Sequence, residues 1–249
     1  MDRGFDFYGA LKELVEQVPE GRATTPSASA RSLGDPRATQ AVIKAPKRKE
    51  FNQTPNNVKP AIREKVAFSE FKTDHPLRRI AEQQERMAKR VVITPFIGET
   101  PLVAGVDASY EEDTVYTACV VMNGDREIVD SASAAVETRF PYIPGYLSFR
   151  EALGMLTAVR RVSGFDVLMV NGHGVAHPRG CGLASLVGIE ADKPTIGVAS
   201  RPLVGEVGKI RGVLTPLIFN GLTVGSEVRR TEGPPSTSRW AIRSTSRAA

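Results

Sequence analysis

Five apolar segments rich in Val, Ile and Ala set the strongest limit on how this chain folds. They lie at residues 102–108, 115–122, 126–136, 166–171 and 194–199. Short connections join the first three, with Asn123-Gly124 as a hairpin signal, so these strands are predicted to pair antiparallel. A helix predicted at 148–162 follows them, and helices then alternate with parallel strands. The order predicts an α/β protein with a mixed sheet flanked by helices.

The first 45 residues predict a separate, small helical segment. Apolar residues recur at helical spacing over 5–18, and shorter helices are predicted at 27–33 and 35–45. The order of helix, VPEGRATT turn, short helix and LGDPRATQAV helix resembles the winged helix-turn-helix of alkylguanine DNA alkyltransferases and alkyltransferase-like proteins. That resemblance implies a DNA-binding segment whose third helix enters the minor groove.

The functional residues of the alkyltransferase family are absent from this segment. Pro26 stands where the family has Tyr, Gln40 stands where it has the Arg finger, and the PCHR reactive loop is missing. Alkyl transfer is therefore excluded, because there is no acceptor Cys. Weak DNA docking and a vestigial helical appendage both remain open for this segment.

The rest of the chain divides into a linker, a larger domain and a tail. Residues 46–75 are polar and contain prolines, which is typical of a linker. The larger domain is predicted over 76–232 and begins with an amphipathic helix at 77–90. Residues 233–249 are poor in apolar residues and without period, which predicts an irregular tail.

Two acidic residues stand out for their positions on predicted elements. Asp107 ends an apolar strand in LVAGVDASY, where a carboxylate is costly unless it is paired or faces a site at the sheet edge. Carboxylates of this kind hold Mg²⁺, although a turn-forming Asp is the simpler alternative. Glu151 begins the helix at 148–162 and completes a Ser148-Phe-Arg-Glu151 capping box, which is a structural explanation for its position.

Four motifs appear in one order and resemble those of the endonuclease V family. They are GVDASY at 105–110, PYIPGYLSFRE at 141–151, NGHGVAHPR at 171–179 and PTIGVAS at 194–200. The resemblance covers about residues 76–232 and implies an RNase H-like sheet. It also implies a nuclease that hydrolyses a phosphodiester bond near deoxyinosine with Mg²⁺, or with Mn²⁺ as a substitute, and leaves a 3′-hydroxyl.

The resemblance also assigns roles to individual residues. Asp107, Asn171 and Glu151 take the positions of the metal-binding and catalytic acids, and His177 takes that of an assisting His. Arg179 is a phosphate contact. The loop of Pro141, Tyr142, Ile143, Pro144 and Gly145 matches the wedge that holds DNA strands apart around a lesion. The small residues Gly172 and Gly174 are expected to line the pocket for the flipped base.

Two residues depart from the family's pattern where the chemistry is expected. Asn171 replaces an Asp, which removes one negative charge from a site for a hard cation. Ser200 replaces a Lys, and Arg201 is one position late on an extended segment, so its side chain is expected to face the other way. A lesion-binding protein without cleavage activity is therefore the alternative to an active nuclease.

Composition limits the partners and the compartment. The net charge of +5 is concentrated in residues 1–75 and 226–249, so phosphate binding in the central region must come from local geometry. No apolar run approaches the ~18 residues of a membrane helix, which predicts no membrane partner. Two cysteines favour a reducing cytoplasm. The expected partner is double- or single-stranded DNA with deaminated bases, with inosine-containing RNA as a weaker alternative, bound by a monomer.

The sequence of the tail differs from the family's in a way that a change of reading frame would explain. The endonuclease V family has a segment like PLYVSVGH and then a helix at this point, whereas this chain reads PPSTSRWAIRSTSRAA. The possible codons of the tail, read from the third base of Pro234, allow the string PLYVSVGHPVDLEG. Trp240 has one codon and, with Ala241, fixes the first Gly of that string. We therefore predict a frameshift near residue 233.

Overall fold

The computed structural model describes residues 5–45, 67–94, 102–209 and 214–228, and the backbone of 239–245. The chain divides into two compact units. One contains the described residues of Met1–Gln83 together with Thr138–Tyr146, and the other those of Gln84–Glu137 and Leu147–Ala249. The larger domain predicted over 76–232 is therefore interrupted, because a segment in its middle packs with the N-terminal residues.

The first unit is built on short helices with well-made N-termini. They are α1 (Phe7–Glu16), α2 (Pro26–Leu33), a 3₁₀ turn (Pro36–Ala38) and α3 (Thr39–Lys44). The Asp6 side chain accepts a hydrogen bond from the Gly9 amide, and Thr25 accepts one from Ala28, so each caps the helix that follows. The apolar face of α1 is buried, which confirms the helical spacing in the sequence.

The end of the predicted linker is ordered rather than free. Residues 46–66 lie outside the described residues, but Phe68 donates its amide hydrogen to the Ala23 carbonyl and accepts one from the Thr24 hydroxyl. The Lys72 amide and carbonyl both bond to the side chain of Gln17. The end of the predicted linker is therefore hydrogen-bonded to the N-terminal helices, and the linker itself stays a prediction.

The second unit contains a mixed sheet of nine described strands. The strands are β1 (Val103–Glu111), β2 (Thr114–Met122), β3 (Ile128–Glu137), β4 (Val167–Asn171), β5 (Pro194–Ala199), β6 (Glu206–Val207), β7 (Leu214–Phe219), β8 (Leu222–Val228) and β9 (Arg239–Thr245). Their order is β3-β2-β1-β4-β5-β9-β8-β7-β6. β1, β2 and β3 pair antiparallel, and β1, β4 and β5 pair parallel, as the sequence predicted.

Three helices accompany this sheet. They are the C-terminal end of α4 (Pro76–Ala88) from Gln84 onward, α5 (Leu147–Val159) and α6 (Leu183–Ala191). α5 packs on β2, where the Thr117 hydroxyl donates to the Gly154 carbonyl at 3.0 Å. No helix among the described residues is long and apolar enough to cross a membrane.

The prediction of an irregular tail is wrong for residues 239–245. Strand β9 lies antiparallel to β5 on one side and to β8 on the other. Backbone hydrogen bonds that complete a sheet do not depend on apolar side chains, so a polar stretch without period still forms a strand beside a free edge. The frameshift near residue 233 stays a prediction.

The end of α2 supplies a test of the first unit. Gly34 has φ of +107°, and a Cβ there would lie 2.9 Å from the Arg78 amide nitrogen. We expect Gly34→Ala to destabilise the protein by about 1–2 kcal/mol for the left-handed conformation alone, and more for the contact. The melting temperature measures this. The control is Gly164→Ala, where a Cβ meets nothing within 4 Å; equal melting temperatures for both variants would contradict the packing.

Candidate active site

The register of two neighbouring strands, β1 and β4, brings Asp107 and Asn171 together. β1 and β4 run parallel with Val106 beside Val170, so the next residue on each strand, Asp107 and Asn171, are also neighbours. The Asn171 side-chain amide donates a hydrogen bond to Asp107 Oδ1 at 2.8 Å. The donor must be the amide nitrogen, because an ionised carboxylate only accepts. Asn171 is thus tied to the carboxylate with which it was predicted to share a metal.

Asp107 lies within a strand rather than at its end. The sequence predicted that the strand stops at residue 108, but β1 continues to Glu111 because it stays paired with β2 past the point where β4 ends. The Ala108 amide also donates to Asp107 Oδ1, at 2.7 Å. The turn-forming role considered for Asp107 is therefore wrong, since its backbone belongs to the sheet.

Glu151 is a buried carboxyl in the first turns of α5. It is 3% exposed, and within the described part of the chain its carboxyl accepts no hydrogen bond. Burial, and then the negative charge of Asp107, raise the pKa of Glu151 to about 8. The two carboxyl groups are therefore close enough to repel each other, as acids that share a cation do.

The structural alternative for Glu151 does not hold. α5 begins at Leu147, so Ser148 is already inside the helix instead of preceding it. No hydrogen bond between Ser148 and Glu151 is found in the described residues, which leaves the predicted capping box unformed. Capping of the helix therefore does not explain the position of Glu151.

An open groove runs along the face of the sheet on which Asp107 lies. Its volume is about 750 Å³, and its lining includes Asp107, Asn171 and Ser200. Ala118, opposite Asp107 on β2, also lines the groove, whereas its neighbour Thr117 faces α5. The groove therefore lies on the face opposite α5, and Ser200 is among its lining residues.

The oxygen atoms at this place suit a hard divalent cation. Mg²⁺ is usually held by one or two carboxylates together with water and phosphate oxygens. Asp107 and Glu151 supply two carboxylates, and the Asn171 carbonyl oxygen is a third oxygen donor. Among the residues that the structure describes, no group of three or more His, Cys, Asp and Glu side chains could hold a metal. These donor types are compatible with Mg²⁺, and Mg²⁺ binding at this place stays a prediction.

His177 and Arg179 are placed away from the groove lining. His177 is 4% exposed, and its Nδ1 accepts a hydrogen bond from the Arg179 amide at 3.2 Å. The Arg179 guanidinium donates to Gln84 Oε1 at 2.8 Å, and Gln84 in turn donates to the Cys181 carbonyl. In this arrangement both side chains brace the loop after β4. Their predicted contacts with phosphate stay predictions.

The two glycines of NGHG have a packing role in this structure. A Cβ on Gly172 would lie 2.9 Å from Leu183 Cδ2, and the Gly174 carbonyl accepts a hydrogen bond from the Gly182 amide at 2.8 Å. Both residues are buried against α6 and do not line the groove. The close approach that they allow is to helix α6, and a pocket for a base at Gly172 and Gly174 stays a prediction.

The loop predicted as a wedge belongs to the first unit and exposes only part of its residues. Tyr142 is 63% exposed, and Pro144 is exposed as well. Pro141 and Ile143 are buried, because adjacent residues of an extended segment point in opposite directions. Of the residues predicted to contact DNA here, Tyr142 and Pro144 are the ones free to do so, and Ile143 instead anchors the loop.

The mixed sheet flanked by helices has the RNase H-like architecture that the resemblance implied. The chain belongs to the endonuclease V family, whose model matches residues 85–235. By class it is therefore an enzyme that hydrolyses phosphodiester bonds of DNA.

Two relatives support the assignment to the endonuclease V family, and their matches cover different shares of this chain. Endonuclease V of Methanopyrus kandleri is 44% identical over 153 residues, which cover 59% of this chain and 66% of that protein. The bifunctional methyltransferase-like/endonuclease of Nanoarchaeum equitans is 31% identical over 215 residues, covering 79% and 71%. The chain thus spans about two thirds of the length of these relatives.

Solved structures share the fold. Endonuclease V from Streptomyces avermitilis is 33% identical, with a TM-score of 0.58 over 69% of this chain and 77% of that one. Endonuclease V of Ciona intestinalis, in complex with a 24mer DNA containing an inosine followed by a ribo-adenosine, is 20% identical, with a TM-score of 0.58 over 69% and 83%. At that identity the second match concerns the fold alone.

Met169 is one of the groove residues that were not predicted from the sequence. Met169 lies two residues before Asn171 on β4, is 41% exposed, and lines the groove. The alternation of a strand places residues two apart on the same face, so this exposed apolar side chain was predictable once Asn171 was assigned to the groove.

The raised pKa of Glu151 predicts a gain of stability on its neutralisation. Between pH 4.5 and 8 the unfolded chain ionises this carboxyl while the folded protein keeps it protonated, so the stability of the folded protein falls as pH rises. Glu151→Gln has no carboxyl at this position, so its stability does not fall with pH for this reason. We expect a melting temperature several degrees above wild type at pH 8.5 in EDTA, since 1 kcal/mol corresponds to roughly 2–4 °C at this size.

The comparison needs two controls. At pH 4.5 the melting temperatures of Glu151→Gln and wild type should nearly agree, because the folded protein keeps the carboxyl protonated and only half of the unfolded chains have ionised it. Glu85→Gln, at an exposed position on α4, should match wild type at both pH values. A Glu151→Gln variant less stable than wild type at pH 8.5 would show that Glu151 is a paired structural carboxylate.

Proposed function

We propose that this protein is a DNA repair endonuclease that hydrolyses a phosphodiester bond near deoxyinosine in a Mg²⁺-dependent reaction. The observation that carries the proposal is the buried carboxyl of Glu151, whose pKa is raised by burial and by the charge of Asp107, a residue that lines an open groove on the sheet. A buried carboxyl without a hydrogen-bond donor is costly. A cation between the two acids is the arrangement that removes the cost.

Each residue of the site has a definite part in this proposal. Asp107 and Glu151 hold the Mg²⁺, and Asn171 offers its carbonyl oxygen. When bound, the cation polarises the phosphate and lowers the pKa of an attacking water. Ser200 stands where the family has a Lys, so this position supplies no positive charge to the phosphate. His177 assists from the loop after β4.

The proposed substrate is DNA with a deaminated base. Its support is the family and the inosine-containing DNA bound by the Ciona intestinalis relative. The exposed ring of Tyr142 supports a role in stacking on bases. Inosine-containing RNA is a second possible substrate of the same site. The proposal includes a monomer in a reducing cytoplasm, where the buried thiols of Cys119 and Cys181 remain free.

The hydrogen bond from Asn171 favours a second candidate function, which is lesion binding without cleavage. This bond occupies Asp107 Oδ1 with a protein donor, where an Asp at residue 171 would have offered another negative charge to the cation. Mg²⁺ affinity depends on the number of charged ligands. The groove and the exposed Tyr142 would still serve binding.

Nicking of a labelled duplex with one deoxyinosine distinguishes the two functions. The duplex is incubated with Mg²⁺ and with Mn²⁺, and the same duplex is used for a gel shift in Ca²⁺. Cleavage of this duplex but not of undamaged DNA supports the endonuclease. A specific shift without cleavage supports lesion binding, and the absence of both refutes the proposed function. A matched RNA with inosine tests the alternative substrate.

Restoring the missing charges should raise cleavage. We expect Asn171→Asp to increase the rate at fixed Mg²⁺ by roughly tenfold or more, the factor that corresponds to about 1.4 kcal/mol, because the cation gains a charged ligand. Asn171→Asp with Ser200→Lys should cleave faster still. The control is Asn220→Asp, which adds the same charge in the exposed turn between β7 and β8. Equal rates for Asn171→Asp, Asn220→Asp and wild type would contradict the proposed role of residue 171.

A further inference from the structure

The loop that carries Tyr142 is packed with the N-terminal helices inside one compact unit. Thr138–Tyr146 groups with the described residues of Met1–Gln83. The Phe7 amide at the start of α1 donates a hydrogen bond to the Arg139 carbonyl at 3.2 Å, and Arg139 pairs with Asp6 at 3.1 Å. The beginning of the loop is therefore held by the beginning of α1.

Aromatic rings reinforce this end of the loop. The Phe140 ring is 2% exposed, and its centroid lies 6.1 Å from that of Phe7 and 6.0 Å from that of Phe5. Tilted and edge-on aromatic pairs at such distances stabilise beyond the area that they bury. Phe140 is therefore a buried anchor two residues before Tyr142.

The other end of the loop is held by a buried polar contact. Tyr146 is 1% exposed, and its hydroxyl donates a hydrogen bond to Asp35 Oδ2 at 2.7 Å. Arg37 binds the same carboxylate through Nε at 3.0 Å and through a terminal nitrogen at 2.6 Å, and its guanidinium lies 5.4 Å from the centroid of the Tyr146 ring. Asp35 thus joins the N-terminal segment to the residue that ends the loop.

This contact uses an ionised carboxylate. Burial works against the charge of Asp35, but the hydrogen bonds from Arg37 and Tyr146 together outweigh burial and lower the pKa of Asp35. Hydrogen bonds to a charged acceptor are stronger than those between neutral groups. The Tyr146 hydroxyl is consequently fixed in position near neutral pH.

Between the two anchors the loop turns and exposes Tyr142. The Tyr146 amide bonds to the Ile143 carbonyl at 2.9 Å, with Pro144 and Gly145 between them and a φ of +80° at Gly145, as in a type II turn. Ile143 is fully buried, and Tyr142 on the opposite side is 63% exposed. Fixing the ends of so short a loop fixes the direction of Tyr142.

We propose that the N-terminal helical segment is a scaffold that positions the loop 141–145 for DNA, with Asp35 and Tyr146 as positioning residues. The proposal rests on the proposed function, in which Tyr142 contacts DNA at a deaminated base. It gives the segment a use that needs neither the acceptor Cys nor the Arg finger that the sequence lacks. A scaffold has only to pack, and the buried residues of α1 supply that packing.

Removing one hydroxyl tests this role. Tyr146→Phe keeps the ring and loses the hydrogen bond to Asp35, and Tyr116→Phe, on β2 in the other unit, is the matched control. The first measurement is the dissociation constant for a deoxyinosine duplex in Ca²⁺, which does not depend on cleavage. We expect Tyr146→Phe to weaken binding about tenfold, the factor that corresponds to about 1.4 kcal/mol, and Tyr116→Phe to match wild type.

A double mutant shows whether the effect passes through Tyr142. In a Tyr142→Ala background, Tyr146→Phe should weaken binding further by less than about twofold, because the side chain to be positioned is gone. An undiminished tenfold loss in that background would overturn the positioning role, since a general structural defect adds independently of Tyr142.

Hydrogen exchange separates this proposal from the proposed function. Backbone amides of residues 139–146 should exchange faster in Tyr146→Phe than in wild type, and unchanged exchange would overturn the scaffold. Faster exchange with unchanged affinity, while Tyr142→Ala weakens binding, would overturn positioning alone. A wild-type protein with no preference for the deoxyinosine duplex would refute the proposed function and the DNA role of the loop, whatever the exchange shows.

Discussion

The parallel register of β1 and β4 is the constraint on which the site depends. It sets Asp107 next to Asn171, and the amide of Asn171 then bonds to the carboxylate. A shift of β4 by one residue would turn the Asn171 side chain to the opposite face of the sheet. The positions of Asp107 and Asn171 are therefore set by the backbone hydrogen bonds between paired strands, and not by the conformation of a loop.

Two opposed electrostatic situations meet at this position. Asn171 stabilises the negative charge of Asp107 by a hydrogen bond, whereas Glu151 meets both burial and the charge of Asp107, so its carboxyl favours the neutral form. A bound cation would stabilise the ionised form of Glu151, and it would compete with the Asn171 amide for Asp107. In the proposed function, the balance between these two effects separates DNA cleavage from lesion binding.

The sequence predicted the parts of the molecule that depend on local patterns. The strands around Asp107 and Asn171 alternate or run continuously apolar, and the helix that holds Glu151 has a clear period. Strands β7 and β8 were not predicted, although the Asn220-Gly221 pair between them is a hairpin signal in the sequence. Both residues have positive φ, as a two-residue hairpin turn requires. The pairing of Tyr146 with Asp35 spans 111 positions and follows no local pattern, so it was not predictable.

The central claim is that Glu151 and Asp107 share a place suited to a divalent cation. Carboxyl ¹³C chemical shifts of Glu151, followed against pH with and without Mg²⁺, test it most directly. We predict a titration near pH 8 in the metal-free protein, as the raised pKa of Glu151 requires, and a clear shift to lower pH when Mg²⁺ binds. A titration near pH 4.5 that Mg²⁺ leaves unchanged would contradict the account.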